Sequence, residues 1–187
     1  MIENWHSHFV PECFFDTMLF KKILNTNRRL MHTKGCNNVV NRFRVIKGKK
    51  GSLYDSSFGV GMVDRDKREL SYLKECELVI DHKNLLLWKF PERHHYIIQL
   101  DPPLEEWVSI VLKSDNKKAS DFGYPIDYKK LKNALKDDID KENDGKLNEL
   151  LVAILTSSNP VIEQLKKILL HFRDNTYQSD INELKNA

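Results

Sequence analysis

Acidic residues are missing from a long segment of this chain. Between positions 17 and 54 there are ten lysines or arginines and no aspartate or glutamate, in a protein of 187 residues with a formal net charge of +3. The remaining 20 basic and 27 acidic residues give the rest of the chain a net charge of −7. Such an uneven distribution of charge indicates an anionic partner.

Other absences exclude several classes of protein. No apolar run approaches the roughly 18 residues that a membrane-spanning helix needs, and the N-terminus has neither the basic nor the apolar region of a signal peptide. The three cysteines are odd in number and far apart, which is typical of a reducing compartment rather than of a disulfide framework. We therefore expect a cytoplasmic protein that does not associate with membranes.

Two familiar ligand-binding motifs are also excluded. The chain contains no Gly-x-x-x-x-Gly-Lys-Ser/Thr sequence, so it has no P-loop for a nucleotide. Residues 140–145 are similar to the start of an EF-hand loop, but Leu151 occupies the position where calcium binding requires a bidentate glutamate.

Apolar spacing predicts an alternation of strands and helices in the first two thirds of the chain. It predicts strands at 6–11, 29–33, 58–63, 78–80, 85–90 and 96–100, and helices at 14–24, 38–46, 67–77 and 104–112. This order is typical of an α/β fold with a mostly parallel sheet flanked by helices. After residue 113 only helical patterns follow, so we expect an α/β domain at 1–113 and an α-helical C-terminal extension at 114–187 packed on it.

Carboxylates follow two of the predicted strands directly. Glu12 comes after the first strand, and Asp64 and Asp66 come after the apolar strand at 58–63. Ligands of α/β sheets bind beyond the carboxyl ends of the strands. Three carboxylates there suit Mg²⁺, or Mn²⁺, which could activate water and neutralise charge on a phosphodiester.

Simpler roles for the same acids stay open. Glu12 and Asp16 could cap the N-terminus of the helix at 14–24, and this is the favoured role for Asp16. Asp64 and Asp66 could form an ordinary turn between a strand and a helix. Glu105 lies in the first turn of a predicted helix, where the helix dipole favours an acid.

Several of these strings together resemble the Toprim domain of topoisomerases, bacterial primases, recombination-repair proteins and overcoming-lysogenization-defect nucleases. They are Pro11-Glu12-Cys13, Lys34-Gly35 and Gly61-Met62-Val63-Asp64-Arg65-Asp66, followed by Pro102-Pro103-Leu104-Glu105. The resemblance covers about residues 6–112. The chain differs from the family at Cys13, where a glycine is common, and it has none of the ATPase or topoisomerase modules that usually accompany the domain.

The resemblance implies a Rossmann-like fold and a metal-dependent nuclease. Carried over to this chain, it implies that Glu12 acts as a general base or metal ligand and that Asp64 and Asp66 bind Mg²⁺. Glu105 matches the acidic helix start of small Toprim-like proteins and joins the candidate metal ligands.

The acid-free segment supplies the candidate nucleic-acid-binding residues. Lysine and arginine side chains contact phosphates and give an affinity for nucleic acid that depends on salt and not on sequence. The candidates are Lys34, Arg42, Arg44, Lys47, Lys49 and Lys50. The alternative is a solvated helix face followed by a loop.

The sequence therefore predicts Mg²⁺-dependent chemistry on nucleic-acid phosphodiesters, most simply hydrolysis. The alternative is a non-catalytic module that binds nucleic acid or a nucleotide, or a subunit of a larger defence or repair complex. The C-terminal helices could also mediate binding to a protein partner or self-association.

Overall fold

A computed structural model of the chain describes residues 5–43, 57–65, 71–136 and 145–185. After a 3₁₀ turn at Trp5–His8, the regular elements within these ranges are five strands and seven α-helices. They are β1 (Phe9–Pro11), α1 (Phe14–Ile23), α2 (Cys36–Phe43), β2 (Gly59–Asp64), β3 (Glu77–His82), β4 (Leu85–Lys89), β5 (His95–Leu100), α3 (Leu104–Lys113), α4 (Tyr128–Lys136), α5 (Gly145–Leu155), α6 (Pro160–Asn175) and α7 (Ile181–Lys185).

The strands form one mixed sheet in the order β1-β2-β5-β4-β3. Strands β1, β2 and β5 are parallel to one another, whereas β4 is antiparallel to both β5 and β3. The predicted α/β class is confirmed, but only half of the neighbouring strand pairs are parallel. The reason is the short connections: two residues join β3 to β4, with Asn84 at a φ of 70°, and such a connection can only reverse the chain.

Three predicted elements differ in the structure. No strand forms at 29–33; this segment runs beside β1 and donates only two backbone hydrogen bonds to it, from Met31 to Phe9 (3.2 Å) and from Thr33 to Pro11 (3.1 Å). The predicted strand at 6–11 is regular only from Phe9 onward. Of the predicted helix at 67–77, residues Ser71–Glu75 form a 3₁₀ helix, and 66–70 lie outside the described residues.

Apolar residues fill both faces of the sheet. On one face Val10, Val63 and Ile97 pack with α2, and on the other Phe9 and Tyr96 lie in a larger core. That larger core includes side chains from α5 and α6, such as Phe172, whose ring centroid is 4.3 Å from that of Tyr96. The helices after residue 113 therefore share their apolar core with the sheet. None of the described helices is long and apolar enough to cross a membrane.

Gly61 lets α2 approach the middle of β2 closely. A Cβ atom at this position would lie 2.7 Å from Cγ1 of Val39 and 2.9 Å from Cε2 of Phe43. Contacts between carbon atoms are optimal at about 3.5–4.0 Å, so even a methyl group does not fit. The glycine thus sets the distance between α2 and the sheet next to the strand that ends at Asp64.

We expect Gly61→Ala to destabilise the protein by about 1–3 kcal/mol, because overpacking forces neighbouring side chains and backbone to shift. Urea denaturation measures the free energy of unfolding. Gly145→Ala is the matched control, since no atom of the described residues lies within 4 Å of a Cβ built there. Equal stability of the two variants would contradict the close packing of α2 on β2.

Candidate functional site

Glu12 and Asp64 meet at the edge of the sheet where β1 and β2 end. Pro11, the last residue of β1, pairs with Met62, so Glu12 leaves β1 beside the end of β2. Oε2 of Glu12 accepts a hydrogen bond of 3.1 Å from the backbone N–H of Asp64, across 52 residues of sequence. The two residues are only 6% and 5% exposed. The parallel pairing of two strands therefore places two buried acids side by side.

A lysine that is not among the predicted site residues lies between these two acids. Nζ of Lys136, the last residue of α4, is 2.5 Å from Oδ2 of Asp64 and 3.3 Å from Oε1 of Glu12. The sequence pattern of α4 could have pointed to this lysine. Leu131 and Leu135 are buried, and each is followed by a lysine. Residues four apart share a helix face, so these two lysines flank the stripe that packs inward.

Burial and the neighbouring charges shift the pKa values of this cluster. Burial and then Asp64 raise the pKa of Glu12 above its usual value, against the opposing effect of Lys136. Burial alone would lower the pKa of Lys136, but Asp64 and Glu12 raise it above that of an ordinary lysine. Lys136 therefore keeps its positive charge and neutralises part of the negative charge of the pair.

Asp16 lies beside this cluster and belongs to the N-terminal cap of α1. Its Oδ2 accepts a 3.2 Å hydrogen bond from the backbone N–H of Cys13, whose Sγ accepts one from the N–H of Asp16. The cap residue is thus Cys13, and Glu12 is left for the site. Burial, followed by the charges of Asp64 and Glu12, raises the pKa of Asp16 well above its usual value.

We expect Asp16→Asn to gain stability relative to the wild type as the pH rises towards 8, since it removes a carboxyl that resists ionisation. A raised folded-state pKa means that the folded protein holds its proton more tightly. The wild type therefore loses stability relative to the variant as the pH rises above about 4, the ordinary pKa of aspartate. Thermal unfolding across pH 3.5–8.5 measures the difference.

The matched control is Asp16→Ala, which also removes the carboxyl but cannot accept the cap hydrogen bond, so it should be less stable than Asp16→Asn by about 0.5–2 kcal/mol at every pH. A stability difference between Asp16→Asn and the wild type that is the same at every pH would contradict the raised pKa.

The structure describes some of the remaining predicted site residues and not others. Asp66, Arg44, Lys47, Lys49 and Lys50 lie outside the described residues. Lys34 is exposed just before α2, and Arg42 lies partly exposed near the end of that helix.

Glu105 is buried in the first turn of α3, and its Oε1 is 4.0 Å from Nζ of Lys132. Lys132 lies one turn before Lys136, so α4 provides one ammonium near Glu105 and another between Glu12 and Asp64.

The carboxylate oxygens of the site are of the kind that a hard divalent cation binds, but they are few. Within the described ranges, no group of three histidine, cysteine, aspartate or glutamate side chains could hold a metal ion. However, Oδ1 of Asp64 is buried with no hydrogen-bond partner there, and Oε1 of Glu12 accepts a hydrogen bond from the ammonium of Lys136. Mg²⁺ commonly binds through one or two carboxylates, several waters and a substrate phosphate, so these two acids fit it.

Comparisons with known proteins identify no relative. No protein-family model matches the chain, and no curated protein or solved structure shows significant similarity to it. The site itself is what indicates a function: two buried carboxylates and one ammonium meet at the ends of neighbouring parallel strands.

Proposed function

We propose that this protein carries out Mg²⁺- or Mn²⁺-dependent chemistry on nucleic-acid phosphodiesters, most simply hydrolysis. The observation that carries the proposal is the meeting of Glu12 and Asp64, 52 residues apart, at the carboxyl ends of two adjacent parallel strands. Two acids buried together raise the free energy of the folded state unless cations compensate them. One lysine compensates only part of their charge, which leaves the pair attractive to a divalent cation.

Each residue of the cluster has a role in this proposal. Glu12 and Asp64 would hold the metal, with Asp66 following in the sequence, and the metal would activate water and neutralise charge on the phosphate. The raised pKa of Glu12 also suits a group that accepts a proton from water. Lys136 orients both carboxylates through its two contacts and adds a positive charge where a phosphate would approach.

The proposed fold family is Toprim-like. What supports it is the placement of the motifs: Glu12 follows β1, Asp64 ends β2, and β1, β2 and β5 are parallel. A helix follows β1 directly and begins with the Cys13 cap. The antiparallel strands β3 and β4 extend this parallel half of the sheet on the side away from the site.

A second candidate is a module that binds nucleic acid or a nucleotide without cutting it, alone or within a larger defence or repair complex. Lys136 favours this candidate, because an ammonium 2.5 Å from Asp64 already serves as a counter-ion. In that case the cluster is a buried ion pair that stabilises the junction between α4 and the sheet, and it binds no metal.

A nuclease assay tests the proposal, with labelled single-stranded and duplex DNA and RNA incubated in Mg²⁺, Mn²⁺ or EDTA. We expect cleavage that requires the metal and saturable binding of Mn²⁺ in calorimetry. Metal binding without cleavage of any substrate would favour the non-catalytic module. Absence of both would overturn the proposal.

A further inference from the structure

Two cavities meet along one face of α1. One has a volume of about 570 Å³ and the other about 890 Å³, and both are lined by Met18, Lys21 and Asn27. The smaller cavity extends from Phe14 and Thr17 towards α2, and the larger extends to α5. Together they form one groove, which we call the α1 groove.

The charged side chains that line the α1 groove within the described part of the chain are basic. Among the described residues that line the two cavities there is no aspartate or glutamate, although the chain has 27 acids. Its basic residues are Lys21, Lys22, Arg29 and Arg42. His32 also lines it, with its pKa lowered by burial and by Lys34. Asparagine and threonine side chains supply further hydrogen-bond donors. This lining is complementary to a chain of phosphates.

One end of the α1 groove lies at the first turn of α1, which follows Glu12 directly along the chain. Thr17, which lines the groove, donates a 2.8 Å hydrogen bond from its hydroxyl to the carbonyl of Cys13, the residue that follows Glu12. Phe14 lines the same end and begins α1. A polyanion lying in the groove would therefore reach the first turn of α1, which begins two residues after Glu12.

We propose that the α1 groove binds single-stranded nucleic acid and leads it to Glu12 and Asp64. Apolar side chains, including Met18, Met31 and Leu151, line the groove between the basic ones. Unpaired bases can contact such surfaces, whereas a duplex keeps its bases stacked inside. The inference deepens the proposed function and rests on it for the identity of the anion.

Binding without catalysis tests the α1 groove. Fluorescence anisotropy would follow a 5′-labelled single strand of 12 nucleotides in EDTA, across a series of salt concentrations. For the double variant Lys21→Ala/Arg29→Ala we expect affinity to fall roughly tenfold or more at low salt. The slope of log K against log[salt] should shrink by about 1.4, since each lost phosphate contact on a single strand contributes about 0.7.

The control is Lys83→Ala, in the turn between β3 and β4 at the opposite edge of the sheet. It should bind the oligonucleotide as the wild type does, and thermal unfolding should show that both variants are folded. If the double variant binds like the control, the inference is wrong. It is equally wrong if a duplex, or polyglutamate in place of nucleic acid, binds as tightly as the single strand.

Failure of this inference is distinguishable from failure of the proposed function. If the wild type cleaves in a metal-dependent way and the double variant binds the strand as the wild type does, the groove inference is wrong and the proposed function stands. If binding depends on the groove but the wild type neither cleaves nor binds metal, the groove inference stands and the proposed function is wrong.

Discussion

Replacing Asp64 by asparagine should lower kcat/KM for metal-dependent cleavage about 1000-fold or more. A metal ion contributes several kcal/mol of transition-state stabilisation, and each 1.36 kcal/mol is a factor of ten in rate. Asparagine keeps the shape of the side chain, and the backbone N–H at position 64 can still donate its hydrogen bond to Glu12. It also leaves Lys136 paired with Glu12, so the fold should survive and the loss should be chemical.

Steady-state cleavage and Mn²⁺ calorimetry measure the effect of Asp64→Asn, with Glu12→Gln as a companion that should behave in the same way. Asp81→Asn is the matched control, because Asp81 is exposed on β3 at the far edge of the sheet. Full activity in Asp64→Asn, with cleavage still dependent on metal, would place the metal at other residues.

Replacing Lys136 by methionine should destabilise the protein by about 3–5 kcal/mol at neutral pH. The variant keeps two buried carboxylates and removes the ammonium that contacts both, and an uncompensated buried charge is costly. At about 2–4 °C per kcal/mol for a chain of this size, the melting temperature should fall by about 10 °C. Differential scanning calorimetry measures it.

Mn²⁺ should restore more stability to Lys136→Met than to the wild type, since ligand binding to the folded state stabilises it and the metal would replace the lost cation. The loss of stability of Lys136→Met relative to the wild type should also become smaller as the pH falls. Burial and Asp64 raise the pKa of Glu12, and without Lys136 to oppose them the folded state takes up a proton more readily than the unfolded chain. The deficit is therefore largest at neutral and alkaline pH.

The matched control for this prediction is Lys132→Met, one helical turn earlier. Its ammonium is 4.0 Å from Glu105 and its side chain is 44% exposed, so solvent screens the pair and the loss should stay below about 1 kcal/mol. Equal destabilisation by the two substitutions would show that α4 is needed for packing and not for charge. Absence of any Mn²⁺ effect on Lys136→Met would favour the non-catalytic module.

Half of the candidate site was predictable from the order of elements along the chain. Glu12 follows one strand and Asp64 ends another, and parallel strands that are neighbours bring their ends together. This argument needs only local patterns and the general geometry of α/β sheets. The burial of β2 on both faces likewise follows from its unbroken apolar run.

Lys136 was not predictable in the same way. Its position depends on how α4 packs against the sheet, which is decided by Leu131, Leu135 and the apolar residues they contact rather than by any motif. The charge state of Asp16 also depends on its complete burial, which its place in the first turn of α1 does not reveal. The segment at 29–33 has the composition of a strand, but it forms only two backbone hydrogen bonds to β1.

The long sequence separation within the cluster has a consequence for the order in which the site can form. Lys136 follows Asp64 by 72 residues, so a nascent chain emerging from the ribosome contains both acids well before their counter-ion. Until α4 has been synthesised and has docked, burying the ends of β1 and β2 carries the full cost of two like charges. The N-terminal part of the chain therefore reaches its final electrostatic balance only with the helices that follow it.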